Sequence, residues 1–219
     1  MLSVTYDCAL SMSDAVSTYA AEAGWRLSTL LRVRKYYDTK AVLRLYKSHI
    51  LSYIEGGTAA IYHAAPYILR QLNDIQRSLL NTLDLTDEVV LLEHNVAPLA
   101  MRRDIAMLGL LYKVAHGLAA PPLQDLFPAS QRSLTSFGFG PQPVHEWQLV
   151  DPVEPTHPNI IRRSVFGLIR IFNRLPAHTV AAKSVNHFQK ILQRAAKDRA
   201  KSGDHTWQLM YCAIWHFSI

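Results

Sequence analysis

Residues 11 to 32 read SMSDAVSTYAAEAGWRLSTLLR, and the spacing of their apolar positions decides the fold class. Val16, Tyr19, Ala23, Leu27, Leu30 and Leu31 recur at three and four residues, the period of one face of an α-helix. Ser11-Met12-Ser13-Asp14 supplies an S-x-x-D capping pattern, which satisfies amides left orphaned at a helix start. Gly24 lies inside the pattern and costs about 1 kcal/mol relative to alanine, so an interruption is admitted there.

The same period recurs along the chain. A second helix is expected from Thr39 towards Gly56-Gly57, with Val42, Tyr46, Ile50 and Tyr53 on one face and Lys40, Arg44 and Lys47 as a basic stripe on another. A third, from Pro66 to Leu83, aligns Ile68, Leu72, Ile75 and Leu79, and Pro66 suits its first turn. Asp84 to Glu93 reads as a solvated loop and a helix start capped by Thr86, with Asp87 and Glu88 in the first turn. Pro98 opens a helix with Met101, Ile105, Leu108, Tyr112 and Ala115 in register, closed by Gly117.

After Phe127 the character changes. Prolines, serines and the run Phe137-Gly138-Phe139-Gly140-Pro141 mark a long irregular connection, in which His145, Trp147 and Leu149 alternate with Glu146 and Gln148 like a short strand. Arg163 to Ile171 fits a strand or a helix. Lys183 to Lys201 is an amphipathic helix with Val185, Phe188, Leu192 and Ala195 on one face and Lys190, Arg194, Lys197 and Lys201 on the other. The fold class is therefore mainly α: a helical bundle over residues 1–127, an irregular linker over 128–160 with a possible short strand, and a basic C-terminal helical region over 161–219.

Charge is sorted along this frame. The net charge of +6 comes from the second half: residues 1–110 hold 11 Lys and Arg against 11 acids, and residues 111–219 hold 12 against 6. Arg26, Arg32, Arg34, Lys35, Lys40, Arg44 and Lys47 stand against Asp38 alone, and Arg162 to Lys201 is similarly one-sided. Such sorting favours a polyanionic partner, nucleic acid before anionic membrane; the plainer reading is a solvated surface. Trp25, Tyr36, Tyr37 and Tyr46 interleave with the first basic stretch as candidates for base stacking, Tyr36 and Tyr37 foremost, although aromatics at helical spacing more often belong to a core.

Other chemistry is poorly supported. Cys8 and Cys212 form no C-x-x-C pair, so a reducing, intracellular setting, nuclear or cytoplasmic, is expected, and no stretch reaches the roughly 18 apolar residues of a membrane span. His205, Cys212 and His216 fit no standard zinc spacing and read as tail packing beside Trp207, Tyr211 and Trp215; His116 and His187 read as half-buried, hydrogen-bonded histidines. Nucleophile-elbow, P-loop, dinucleotide and H-E-x-x-H motifs are missing, as is any Asp-Asp pair for two-metal catalysis.

A set of short motifs then falls in a shared order. Leu2-Ser3-Val4-Thr5-Tyr6-Asp7 is followed by Arg26-Leu27, Leu30-Leu31-Arg32, Leu45-Tyr46-Lys47 and Ile54-Glu55. Next come Leu72-x-x-Ile75-Gln76-Arg77, Pro98-Leu99-x-x-Arg102-Arg103 and Leu111-Tyr112-Lys113-x-x-x-Gly117-Leu118. Ile169-Arg170-Ile171-Phe172-Asn173-Arg174-Leu175-Pro176 precedes Phe188-x-x-x-Leu192. In this order they resemble the segment that follows the polymerase core in reverse transcriptases (RNA-directed DNA polymerases) of non-LTR, LINE-type retrotransposons, a class of transposable element. Ser3 stands where that family usually has glycine, and Phe172 where it often has tryptophan.

The resemblance implies a thumb-like bundle that grips a template–primer duplex, RNA or RNA–DNA hybrid, by its backbone. The contacts would come from Arg26, Arg32, Arg34, Lys35, Tyr36, Tyr37, Lys40, Arg44, Lys47 and Arg77. It also implies that fingers and palm, with their metal-binding aspartates, would lie before residue 1, so that the chain reads as a fragment with no cofactor and no polymerase activity of its own, its palm encoded separately if at all. Two other readings stay open. One is a helical protein-interaction or structural remnant, including self-association; the other takes Lys183 to Lys201 as a basic helix for calmodulin or an anionic surface.

Overall fold

Asp7 sets where the first helix begins. In the computed structural model, which describes residue 4 and residues 6–130, 144–151, 161 and 163–212, the Ser11 amide donates to Asp7 Oδ1 at 2.9 Å and the Ser13 amide to Ser11 Oγ at 3.2 Å. The S-x-x-D capping expectation is thus corrected. Met12 turns left-handed, at φ 61°, to bury its side chain completely, and Asp7 rather than Asp14 holds the entry to α1, Ser13–Val33. Burial of Ala23 and Leu27 carries α1 through Gly24 without a break, where an added methyl group would meet open space.

Asp38 caps α2, Thr39–Tyr46, by accepting from the Ala41 amide at 2.7 Å. The chain then widens into one π-helical turn, Lys47–Leu51, whose end is marked by the Ser52 amide bonding back to the Lys47 carbonyl, and continues as α3, Ser52–Gly56, and α4, Thr58–Ile61. The helix ends at the two glycines, as expected, with Gly56 the last residue of α3 and Gly57 its C-cap. A Cβ at Gly57 would stand 2.5 Å from the Tyr19 ring, so glycine there allows a close approach to α1. Helix α5, Pro66–Thr82, has its proline in the first turn and lies chiefly against α1. Thr86 caps α6, Asp87–His94, accepting from the Val89 amide at 3.2 Å, and the chain runs on into α7, Leu99–Ala115.

The chain divides into two compact units, Met1–Arg103 and Asp104–Ile219. The dividing point falls within α7, where the sequence placed it after residue 127. In the first unit, Val16, Leu43, Tyr46, Ile54, Leu72 and Leu79 form a core with almost no solvent access. At roughly 1.5–3 kcal/mol for each fully buried large side chain, this face decides the arrangement of α1, α2 and α5 more than any cap does.

In the second unit the end of α7 explains the shift of boundary. Tyr112 stacks on Phe188 at 4.9 Å and donates its hydroxyl to the Ala182 carbonyl, so residues placed with the N-terminal bundle belong to the C-terminal core. This unit contains α8, Pro121–Leu126, a 3-10 turn at Val165–Leu168, and then α9, Ile169–Asn173, which resolves the strand-or-helix ambiguity in favour of helix. It also contains α10, Ala177–Val180, and α11, Val185–Lys201. The expected strand at His145 to Leu149 is not formed: among the described residues there is a single antiparallel bridge, Ala129 to Leu149, preceded by bends and a turn at residues 144–147.

Helix α11 buries Phe188, Leu192, Ala196 and Ala200; Val185 and Ala195, expected on that face, are half-buried at its edge. The apolar side of α11 is thus largely taken up by the core. His187 is exposed, contrary to expectation, whereas His116 is half-buried and donates to the Val180 carbonyl at 2.9 Å. Trp207 and Tyr211 do pack inward, with the Tyr211 hydroxyl on the Leu192 carbonyl at 2.9 Å. The Phe137–Pro141 run, Leu2, Ser3, Thr5, Arg162, Trp215 and His216 lie outside the described residues. Among the described helices, none is long and apolar enough to cross a membrane.

Candidate nucleic-acid interface

The connection between α1 and α2 is an elbow: a 3-10 turn at Arg34–Tyr36, then Tyr37 in extended backbone and Asp38 as the cap of α2. An elbow of this kind has little to bury. Every residue from Arg32 to Lys40 is exposed, and Arg44 follows one turn later on the open side of α2. Arg32, Arg34, Lys35, Lys40 and Arg44 are thus all open to solvent around the elbow, with the Asp38 carboxylate occupied by the Ala41 amide. Tyr36 and Tyr37 rise from it at 73% and 50% exposure, and the Lys35 ammonium sits 5.0 Å from the Tyr36 ring centroid.

Beside the elbow, α1 and α5 leave an open groove of about 690 Å³ with Arg32 and Arg34 at its rim, an apolar floor that includes Leu27 and Ile75, and Ser28 and Ser78 among its hydroxyls. Arg34 Nη1 donates to the Thr82 carbonyl at 2.6 Å, which fixes its guanidinium at that rim while leaving other N–H groups to face solvent.

The remaining expected residues are placed differently. Arg26 donates to Glu22 at 2.8 Å and to the His49 carbonyl at 2.9 Å, and its guanidinium lies 4.1 Å over the Tyr53 ring, so it braces α1 against the wide turn. The Tyr53 hydroxyl is held above its usual pKa, first by burial and then by the Glu22 charge. Lys47, the third member of the basic stripe, is half-buried and donates to the His94 carbonyl. Arg77, on α5, pairs with Asp74 at 2.6 Å, both exposed. Tyr46 is not a stacking residue: it is fully buried, with its hydroxyl 3.4 Å from Gln76 Oε1.

Arg102 and Glu55, each within a short motif of the sequence, form an ion pair between α7 and α3 that has no local signature, because the two charges lie 47 residues apart. The sequence reading passed over the residues around Trp25, which at 66% exposure stands off the apolar stripe of α1. Among the described residues, no three His, Cys, Asp or Glu side chains gather as a metal site. No known protein family, no curated protein and no solved structure matches this chain, and the reading of its surface rests on these residues and their geometry.

Proposed function

We infer that the chain binds the phosphate backbone of nucleic acid, without sequence preference, through the elbow of Arg32, Arg34, Lys35, Lys40 and Arg44, as the thumb-like part of a non-LTR reverse transcriptase. The observation that carries this reading is the run of exposed residues 32 to 40, four of them cationic, whose only acid is engaged in a helix cap. Exposed cations contact phosphates, and the adjacent Tyr36 and Tyr37 offer faces for a base at a duplex end or in a single strand. The partner is RNA or an RNA–DNA hybrid, which places the protein in the nucleus or cytoplasm. Arg26 and Lys47 act through the scaffold, and Arg77 is paired with Asp74.

Each phosphate neutralised releases counterions, so affinity for a fluorescein-labelled RNA–DNA hybrid is expected to fall by about 0.7 to 0.9 log units per log unit of salt for each contact. Lys40→Glu with Arg44→Glu removes two exposed cations from a helix face that takes no part in the core. The double variant is expected to fold normally, bind more weakly, and show a salt slope shallower by about 1.4 to 1.8. Fluorescence anisotropy across a salt series measures both. Affinity indifferent to salt, or a slope unchanged in the double variant, refutes the assignment.

A further inference from the structure

Between α1 and α2 lies a second, quite different groove of about 360 Å³, whose lining is almost entirely carbon. Trp25, Thr29 and Val33, four residues apart along α1, form one wall; Leu45 and His49 form the other, over a floor of Leu30 and Ile50. Trp25 and Val33 are exposed, so the apolar surface is open to solvent. Its polar groups are largely engaged from within. Thr29 Oγ1 donates to the Trp25 carbonyl at 3.1 Å, and Arg26 donates to Glu22 and to the His49 carbonyl. A nucleobase here would bury its hydrogen-bonding edge with few partners, at a cost of about 1–3 kcal/mol for each unmatched group, so the groove favours hydrocarbon side chains.

Length and charge narrow the occupant. From Trp25 to Val33 the wall runs about 12 Å, which accommodates three anchors at i, i+4 and i+7 of a docked helix. Its Val33 end opens on the basic elbow, where Arg32, Lys35, Lys40 and Arg44 are exposed, while Asp38 and Glu22 are taken by the Ala41 amide and Arg26. We propose that this groove docks an acidic amphipathic helix of a partner protein, its apolar side chains on Trp25, Val33 and Leu45 and its carboxylates against the elbow. Trp25 is the anchor, as a large, partly exposed aromatic beside a pocket commonly is. The apolar walls have no part in the phosphate-binding reading, so the two can fail separately.

The probe is a fluorescein-labelled stapled helix of about four turns, with leucines at i, i+4 and i+7 and glutamates on its flanks, titrated into the full chain by fluorescence polarisation. Saturable binding is expected, weakened at least about tenfold by Trp25→Ala or Val33→Glu and by exchanging the glutamates for lysines, and lost when the leucines become alanines. Both substituted positions are exposed, so circular dichroism should show an unchanged helical content. No saturable binding, binding unmoved by either substitution, or equal binding of the lysine peptide overturns the proposal. So does a dimer in sedimentation that Trp25→Ala dissolves, which would seat a second copy in the groove. Protection of tryptophan from acrylamide by a single-stranded oligonucleotide, absent in Trp25→Phe, would assign the groove to bases and overturn it as well.

Discussion

His145 shows how far a single residue departs from what its neighbours in sequence suggest. Read as one position of an alternating strand, it is instead a buried side chain in a turn, edge-on to Phe172 at 5.6 Å, with Nε2 donating to the Phe172 carbonyl at 3.0 Å. That tautomer leaves Nδ1 a buried acceptor with no partner among the described residues. Burial holds the imidazole pKa below its usual 6.5; the Phe172 carbonyl opposes this, and His116 adds to it. The unfolded chain therefore takes up a proton first as pH falls below about 6.5, and stability drops from there towards the lower folded pKa, by up to about 1.4 kcal/mol per pH unit from this group. Urea unfolding at several pH values between 7.5 and 5 is expected to show that loss in the native chain and a shallower one in His145→Asn; equal slopes would contradict it. Tyr46 is the opposite case. Its place was legible, because Val42, Tyr46 and Ile50 share one apolar face running from α2 into the wide turn, and the face outranks the basic residues beside it in sequence.

At the scale of elements, periodicity gave the long helices and missed whatever is held by contacts distant in sequence. Helices α1, α5, α7 and α11 begin and end within two or three residues of their expected bounds, since each has an apolar stripe several turns long. The wide turn after α2 has no such signature. The strand expected around Trp147 failed for a similar reason: its alternation reflects burial of His145 and Leu149, which α9 imposes from outside. Asn173, at the end of α9, accepts from the Leu149 amide at 3.0 Å and donates Nδ2 to the Leu149 carbonyl at 2.8 Å, engaging that residue's backbone as a neighbouring strand would. Removing this clasp leaves a donor and an acceptor unmatched beside the buried Leu149 side chain. Asn173→Ala is expected to cost about 1–3 kcal/mol in equilibrium unfolding, and Asn173→Asp, which keeps the acceptor but sets a carboxylate oxygen against the Leu149 carbonyl, to cost no less. A neutral Asn173→Ala would show that the clasp contributes nothing net.

For the whole molecule, charge was legible in kind and only partly in place. Counting residues found two basic stretches, but not that Arg26 and Lys47 would be drawn into the scaffold while Arg32, Lys35, Lys40 and Arg44 stay exposed, because that depends on which carbonyls and carboxylates the fold brings near. Net charge and local placement make different claims about a polyanion. A field set by the sum of charges attracts any nucleic acid through all exposed cations alike, whereas a surface of aligned cations binds through its own phosphates. Two variants of equal charge separate them. Changing Arg32, Lys35, Lys40 and Arg44 to glutamine lowers the formal charge from +6 by four, and so does changing Lys183, Lys190, Arg194 and Lys201, all exposed as well. If the elbow binds, the first variant should lose most of its affinity for an RNA–DNA hybrid and flatten the salt slope by about 2.8 to 3.6, while the second keeps a slope close to the native one. Equal losses in the two would mean that the elbow is only part of a diffuse positive field, and the inferred interface would have to be given up.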